Sequence, residues 1–479
     1  MAKKQQEFVT QITPREENFS QWYTDVVLKT EMVDYGPVKG TMVIRPYGYG
    51  VWELIQKEMD ARFKATGHEN AYFPLLIPKS FLEREAEHVE GFAPEVAWVT
   101  RGGTEELAEP LVVRPTSETI ICEMYAKWLQ SWRDLPMMMN QWCNVVRWEK
   151  ATRPFLRTSE FLWQEGHTLH ATAEEAQEET LKMLEVYREF AENVLAIPVF
   201  CGQKSEREKF AGAAATYSIE AMMQDGRALQ AGTSHNLGQH FAKVFDIKFL
   251  DKDGSHKYAW QTSWGTSTRM IGAIVMVHGD ERGLVLPPKV APIQVVILPI
   301  AAHKEGVLDK AYELKARLEA AGIRVKVDDR EGQSAGWKFN EWEMRGVPMR
   351  MEVGPRDIEN GQVVVVRRDT LEKEFLPMEG LEAAIEERLQ LVHDGLYQKA
   401  LKLRESKTVD ATTYDELKAG VEKGFVHAMW CGDEACEEEI KAETGATTRN
   451  MPFEQKPFSD VCVHCGKPAK YEIYFAKSY

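Results

Sequence analysis

The residues most suited to chemistry in this sequence fall into two sets. Cys431 and Cys436 have four residues between them, Cys462 and Cys465 have two, and the pairs flank a loop holding Asn450, Pro452 and Pro457. Four thiolates at hairpin-like spacing suit tetrahedral zinc. With every position filled by sulfur, no place is left for water or substrate, so the metal is expected to be structural. Gly466 follows the second pair, where freedom at positive φ lets both sulfurs turn toward one ion, and His464 reads as a bystander.

The second set is charged and polar: Thr116-Ser-Glu118, Arg147-Trp-Glu149 with the loop to Arg157-Thr158, and Ser263-Trp-Gly-Thr-Ser-Thr-Arg269. If Arg147 and Glu149 lie in a strand, alternation puts their side chains on one face. A guanidinium binds phosphate oxygens bidentately and keeps its charge, so Arg147, Arg157 and Arg269 suit a reaction that moves charge onto pyrophosphate, as adenylate formation does. Such chemistry needs positioning and charge, not an enzyme nucleophile. No G-x-x-x-x-G-K-[ST] and no G-x-G-x-x-G after a strand is present, so a nucleotide site must be built differently.

The elements that must position these residues are visible in the apolar pattern. Helical spacing of Tyr47, Val51, Leu54, Ile55, Met59 and Phe63, with Gly67 as a stop, predicts an amphipathic helix over 47–66. The proline-containing run 71–78 reads as an edge or irregular strand. Stretches around 144–149 and up to Phe161-Leu-Trp163 read as two strands joined by a loop at Arg153-Pro154, and 173–196 as a long helix with one solvated face. The proline cluster of Leu286-Pro-Pro-Lys-Val-Ala-Pro292 predicts a domain boundary. Beyond it, strands at 293–300, 323–327 and 363–366 alternate with helices at 304–321 and 338–345, as in an α/β unit, and 380–406 reads as a long helix.

With 479 residues, 44% of them hydrophobic, the chain calls for two or three domains. Its net charge of -15 excludes indiscriminate coating of nucleic acid or anionic membrane. Residues 288–370 nevertheless hold 14 basic against 13 acidic side chains, a net +1, which leaves -16 for the rest. A polyanion would dock on that middle unit. No apolar h-region follows Met1-Ala-Lys-Lys-Gln-Gln6, and apolar runs such as 271–277 are too short to span a bilayer, so no membrane association and a cytoplasmic location are expected. Cys122, Cys143 and Cys201, scattered in apolar surroundings, suit reduced core thiols.

Taken in order, these stretches resemble the signature motifs of class II aminoacyl-tRNA synthetases across essentially the whole chain. The 47–66 helix running into Phe73-Pro74 is similar to motif 1, Arg147-Trp-Glu149 through Arg157-Thr-Ser-Glu-Phe161 to motif 2, and Trp264-Gly-Thr-Ser-Thr-Arg269 to motif 3. Arg114-Pro-Thr-Ser-Glu118, Phe161-Leu-Trp-Gln-Glu-Gly-His167, Gln230-Ala-Gly-Thr-Ser-His235 and Thr262-Ser-Trp-Gly265 resemble the versions found in prolyl-tRNA synthetases. Only about 95 residues separate motif 2 from motif 3, too few for a large editing insertion, which resembles the archaeal and eukaryotic type.

The resemblance implies a mixed α/β (α+β) fold: an antiparallel-sheet catalytic domain over 1–286, an α/β anticodon-binding domain over 287–400 and a small α/β zinc-binding domain over 401–479. It implies a homodimer using ATP, Mg²⁺ and structural zinc, with L-proline and tRNA(Pro) as substrates. By resemblance, Arg147, Glu149 and Arg269 are catalytic; Arg147, Glu149, Arg157, Thr158, Gln230, Thr233, Ser267 and Arg269 hold ATP; and Thr116, Glu118, Arg147 and His235 hold proline. Proline offers a secondary ammonium, a carboxylate and an apolar ring, so aromatic walls are also expected, with Trp163, Phe210 and Trp264 as candidates. Glu343, Arg356 and Asp357 have the donors and acceptors to read the guanines of a proline anticodon. A synthetase for another amino acid, or a synthetase-like binding protein, remains an alternative.

Overall fold

The computed structural model describes residues 12–84 and 96–479; the Met1–Gln6 stretch lies outside them. The predicted first helix forms as α1 (Pro46–Ala65), with proline at its start, where the missing N–H costs nothing, and Gly67 just past its end at φ +86°. The proline-containing run that follows is broken in two. Glu69–Asn70 (β1) joins the main sheet, whereas Leu76–Pro78 joins a separate three-stranded one. Between them Phe73 is fixed by side chains instead of a ladder. Its carbonyl accepts from Arg114 at 2.8 Å and its N–H donates to Gln141 at 2.5 Å.

The catalytic platform is an eight-stranded sheet. Its strands are β1, β2 (Met137–Val146), β3 (Glu160–His170), β4 (Val199–Gln203), β5 (Ala215–Met222), β6 (Ala228–Gly238), β7 (Trp260–Ser267) and a late arrival described below. From one edge the order runs β1-β2-β3-β7-β6-β5-β4, antiparallel apart from the β1–β2 pair. Behind it pack α1, α2 (Ala173–Asn193) and α3 (Arg269–His278), which bury the largest hydrophobic core. A capping box between Thr172 and Glu175 fixes the start of α2.

The middle unit is built around β8 (Val295–Pro299), β9 (Val325–Val327), β10 (Met349–Val353), β11 (Gln362–Arg367) and β12 (Lys373–Pro377), ordered β9-β8-β10-β11-β12. The first three are parallel, as helix crossovers require, and the last two close the sheet as antiparallel hairpins. The long helix Leu381–Ser406 (α4) leads to the final unit, β13 (Thr408–Ala411), β14 (Phe425–Trp430), α5 (Glu434–Thr444), β15 (Thr447–Thr448), β16 (Met451–Pro452) and β17 (Tyr471–Ala476). This last unit is not a detached tail. β16 pairs antiparallel with the β4 edge of the catalytic sheet as its eighth strand, Met451 opposite Gln203 and Pro452 opposite Gly202. The approach is so close that a Cβ on Gly202 would lie 2.1 Å from the Met451 carbonyl oxygen, so only glycine fits.

Candidate active site

A cavity of about 280 Å³ opens on the face of the sheet opposite α1 and α2. Strand alternation supplies its floor: Trp163, Glu165 and His167 from β3, Ser263, Gly265 and Ser267 from β7, and Thr233 and His235 from β6. Gln230 lies on the opposite phase from Thr233, yet it lines the same cavity. A register shift in the β5–β6 pair takes Ile219–Gly232 to Glu220–Gln230, and this extra residue returns Gln230 to the front face.

Trp264 goes the other way, and the expectation that its ring walls the pocket is corrected. Its indole is buried behind the sheet, 5.0 Å from Phe63 and 6.4 Å from Tyr187. It lies against Gly166, where a Cβ would come 2.1 Å from the ring. Period two assigns it there, between the front-facing Ser263 and Gly265.

One end of the cavity is acidic. Thr116 donates to Glu118, which opens the helix Glu118–Trp128. Ser117 and Gln141 donate to Glu165, and Glu165 meets Nε2 of His167 at 2.9 Å. Burial works against charge on both members of that pair, but their mutual hydrogen bond and attraction override it. Glu165 is thereby held below its usual range and His167 raised above 6.5, the latter helped by Glu118. His235 is the contrast: burial, reinforced by the charge of His167, brings it down to about 3, so it is neutral. Its two nitrogens meet the hydroxyls of Thr216 at 2.9 Å and Thr233 at 3.2 Å, and its ring lies 4.7 Å from Phe210.

The other end is basic. Arg269, at the start of α3, donates to the carbonyls of Leu156 at 3.0 Å and Gln230 at 3.4 Å. Burial, together with the nearby charges of Arg157 and Arg147, lowers its pKa to about 10. Arg147 donates to the Pro115 carbonyl at 3.0 Å, its guanidinium over Phe161 at 5.4 Å and Trp163 at 5.5 Å. Guanidiniums crowded against mutual repulsion mark a place for an anion.

The expectation that Arg147 and Glu149 share one strand face is corrected as well. β2 ends at Val146, and the Glu149 N–H turns back onto the Arg147 carbonyl at 2.8 Å, a three-residue turn that breaks the alternation. Glu149 pairs with the half-exposed Arg157 at 3.4 Å. Neither residue lines the cavity, nor does Thr158, which is buried with its hydroxyl on the Glu160 carbonyl at 2.7 Å.

Residues 98–278 match the model of the tRNA synthetase class II core domain (G, H, P, S and T). Residues 294–388 match that of the anticodon binding domain, and 414–479 that of the prolyl-tRNA synthetase C-terminal domain. A proline–tRNA ligase of Alkaliphilus oremlandii is 65% identical over 481 residues, covering 100% of both chains. One of Acetoanaerobium sticklandii is 63% identical with the same coverage, and one of Clostridium novyi is 60% identical over 99% of this chain and 100% of its own. The chain belongs to the prolyl-tRNA synthetase family.

Elsewhere in this synthetase the four late cysteines converge, their sulfurs all within 4.8 Å of one another, at 3.6 Å for Cys431–Cys436 and 3.7 Å for Cys431–Cys465. Zinc–sulfur bonds of about 2.3 Å at tetrahedral angles put sulfurs ~3.8 Å apart, so the donor set fits that ion. The anticodon candidates fare differently. Glu343 is taken up by Arg282 at 2.6 Å and Arg350 at 2.8 Å, a bridge from the catalytic unit into the middle one. Asp357 caps its own short helix by accepting from the Gly354 N–H at 2.9 Å. These contacts engage both Glu343 oxygens and one of Asp357, and leave Arg356 as the most exposed of the three candidates.

Sequence reasoning missed Glu165 and His167, although counting by twos from Trp163 along β3 finds them. It also missed Glu208 and Thr216, which line the cavity and carry no motif.

Proposed function

We propose that this chain activates L-proline with ATP to prolyl-adenylate and transfers the prolyl group to the 3′ end of tRNA(Pro), the reaction for which its relatives are named. The observation that carries this reading is the polarity of one cavity, carboxylates at one end and converging guanidiniums at the other. A zwitterion with a secondary ammonium fits the first end and a polyphosphate the second.

In this reading Glu118, positioned by Thr116, accepts from the proline ammonium. Trp163, Phe210 and the neutral ring of His235 enclose the pyrrolidine, and Arg147 steers the carboxylate against the α-phosphate. A carboxylate oxygen attacks the α-phosphorus, the bond to the bridging oxygen breaks, and pyrophosphate leaves with that electron pair. Arg269 stabilises the charge that develops. Gln230, Thr233 and Ser267 hold the nucleotide, while Arg157 and Glu149 close over its phosphate tail from the loop between β2 and β3. Thr158 supports that loop from its buried hydroxyl. Glu149 is the oxygen ligand we assign to magnesium, which when bound would supply charge neutralisation for the phosphates.

Zinc held by Cys431, Cys436, Cys462 and Cys465 is structural. A homodimer through α1 and the hairpin that pairs Val33–Tyr35 with Met42–Ile44 is supported by the exposed Tyr35, Val38 and Val43 on that hairpin. We assign the protein to the cytoplasm; among the described residues no helix is long and apolar enough to cross a membrane. With no editing insertion, proline is separated from alanine by the pocket alone, so release of mischarged Ala-tRNA is expected. Arg356 is the leading anticodon candidate, and Arg356→Ala should raise the KM for tRNA while sparing adenylate formation. Amino-acid-dependent exchange of pyrophosphate into ATP across the standard amino acids tests the whole reading. Exchange with proline alone supports it; exchange with another amino acid, or silence with all, overturns it.

A further inference from the structure

The segment 204–214 between β4 and β5 carries Glu208 and Phe210 into the cavity, with the Phe210 N–H donating to Thr216 at 2.9 Å, the same hydroxyl that meets His235. Its near end is held from outside the catalytic unit. The Ser205 hydroxyl donates to Glu437 at 2.7 Å and meets the Thr448 hydroxyl at 3.2 Å, and all three side chains are buried. The Glu208 N–H in turn rests on the Ser205 oxygen at 3.3 Å. Two residues further on, Arg207 pairs with Glu438 at 2.9 Å. Glu437 and Glu438 lie on α5 directly after Cys436, one of the four clustered thiols.

We propose that Glu437 and Glu438 are positioning residues for the amino-acid pocket. They tie the 204–214 segment to the cysteine-bearing helix and thereby set the depth at which Phe210 closes on the proline ring. The inference rests on the reading of that cavity as the proline site. Because this segment is the only part of the cavity lining that the two ties touch among the described residues, their loss moves proline binding and leaves ATP binding alone. The buried tie outweighs the other, since a hydrogen bond between water-excluded partners contributes more than an ion pair whose Glu438 is 66% exposed.

The full-length protein is tested by pyrophosphate exchange for the proline and ATP KM values, and by calorimetry for proline binding without ATP. Glu437→Ala should raise the proline KM and Kd on the order of tenfold with the ATP KM unchanged. Adding Ser205→Ala to it should raise them by less than the sum of the two single effects, because both changes remove the Ser205–Glu437 bond while Ser205→Ala also removes the acceptor of the Glu208 N–H. Arg207→Glu and Glu438→Arg, surface changes that leave the fold intact, should each raise the proline KM about twofold and cancel when combined. Phe210→Ala is the control. If it raises the proline KM while Glu437→Ala and the charge swap do not, or move ATP equally, the positioning role is overturned. If Phe210→Ala itself leaves proline binding unchanged, the cavity reading underneath is the one that fails.

Discussion

The arginines of the catalytic cavity and those of the domain junctions are chemically identical and are held in opposite ways. Three at the junctions sit on carboxylates. Arg368 makes two bonds of 2.7 and 2.6 Å to Asp280, Arg345 meets Glu31 at 2.5 Å, and Arg449 lies 2.9 Å from the buried Glu220. In the cavity, Arg269 is oriented by the neutral carbonyls of Leu156 and Gln230, and among the described residues no carboxylate pairs with it. A guanidinium neutralised by its own chain is cement, whereas one aimed by carbonyl dipoles retains its field for an incoming anion. Burial alone does not separate Arg269 from Arg368 and Arg449; what each guanidinium rests on does.

The sharpest way to break this distinction is Arg269→Ala, which should lower proline-dependent pyrophosphate exchange about 10²- to 10³-fold while the thermal midpoint holds or rises, since a repulsive charge is removed. A fall in stability with exchange preserved would show Arg269 to be cement. Arg368→Ala is the mirror test. It should cost about 2–3 kcal/mol in denaturant unfolding, below the range for a fully buried pair because Asp280 is partly exposed, and leave exchange intact.

A third, smaller effect separates the acidic end from both. His167 is raised above 6.5, so its contribution is complete below that pH and is lost as pH rises through the higher folded value. Glu165, held below 4.5, contributes above that pH and loses it as pH falls. Stability in denaturant unfolding should therefore fall as pH rises above 6.5 through the folded value of His167, and His167→Gln should flatten that limb. The smallest effect is expected at Glu343→Gln: about 1 kcal/mol of stability or less, with tRNA KM unmoved. A large change in tRNA KM would restore Glu343 as a base reader against its two arginine partners.

Much of this was legible in the sequence, and the exceptions have specific causes. The 47–66 helix and the α/β alternation after Pro292 follow from apolar period and from Gly and Pro punctuation, which are local signals. Trp163 is legible by strand parity. Gln230 is not, because the register shift that turns it inward depends on a partner strand ten residues away, and Glu149 is not, because a three-residue turn leaves no periodic trace. Motif membership misled where parity did not: Trp264 sits among motif residues, yet its ring serves the core behind Gly166. Glu343 and Asp357 have the right types for base reading, and only the fold reveals that both Glu343 oxygens and one of Asp357 are engaged within the chain. The clasp of α5 on Ser205 joins residues more than two hundred positions apart and has no sequence signature.

The pairing of Met451–Pro452 with the β4 edge has a consequence for biosynthesis. A ribosome delivers the catalytic sheet long before it delivers the strand that covers its border, so for about 250 residues of elongation the nascent protein exposes an unpaired row of N–H and carbonyl groups. The active site is complete well before the chain is safe from sticking to its neighbours. A product stopped just before Met451 should contain the cavity residues and still precipitate, visible as light scattering that the full-length chain does not show.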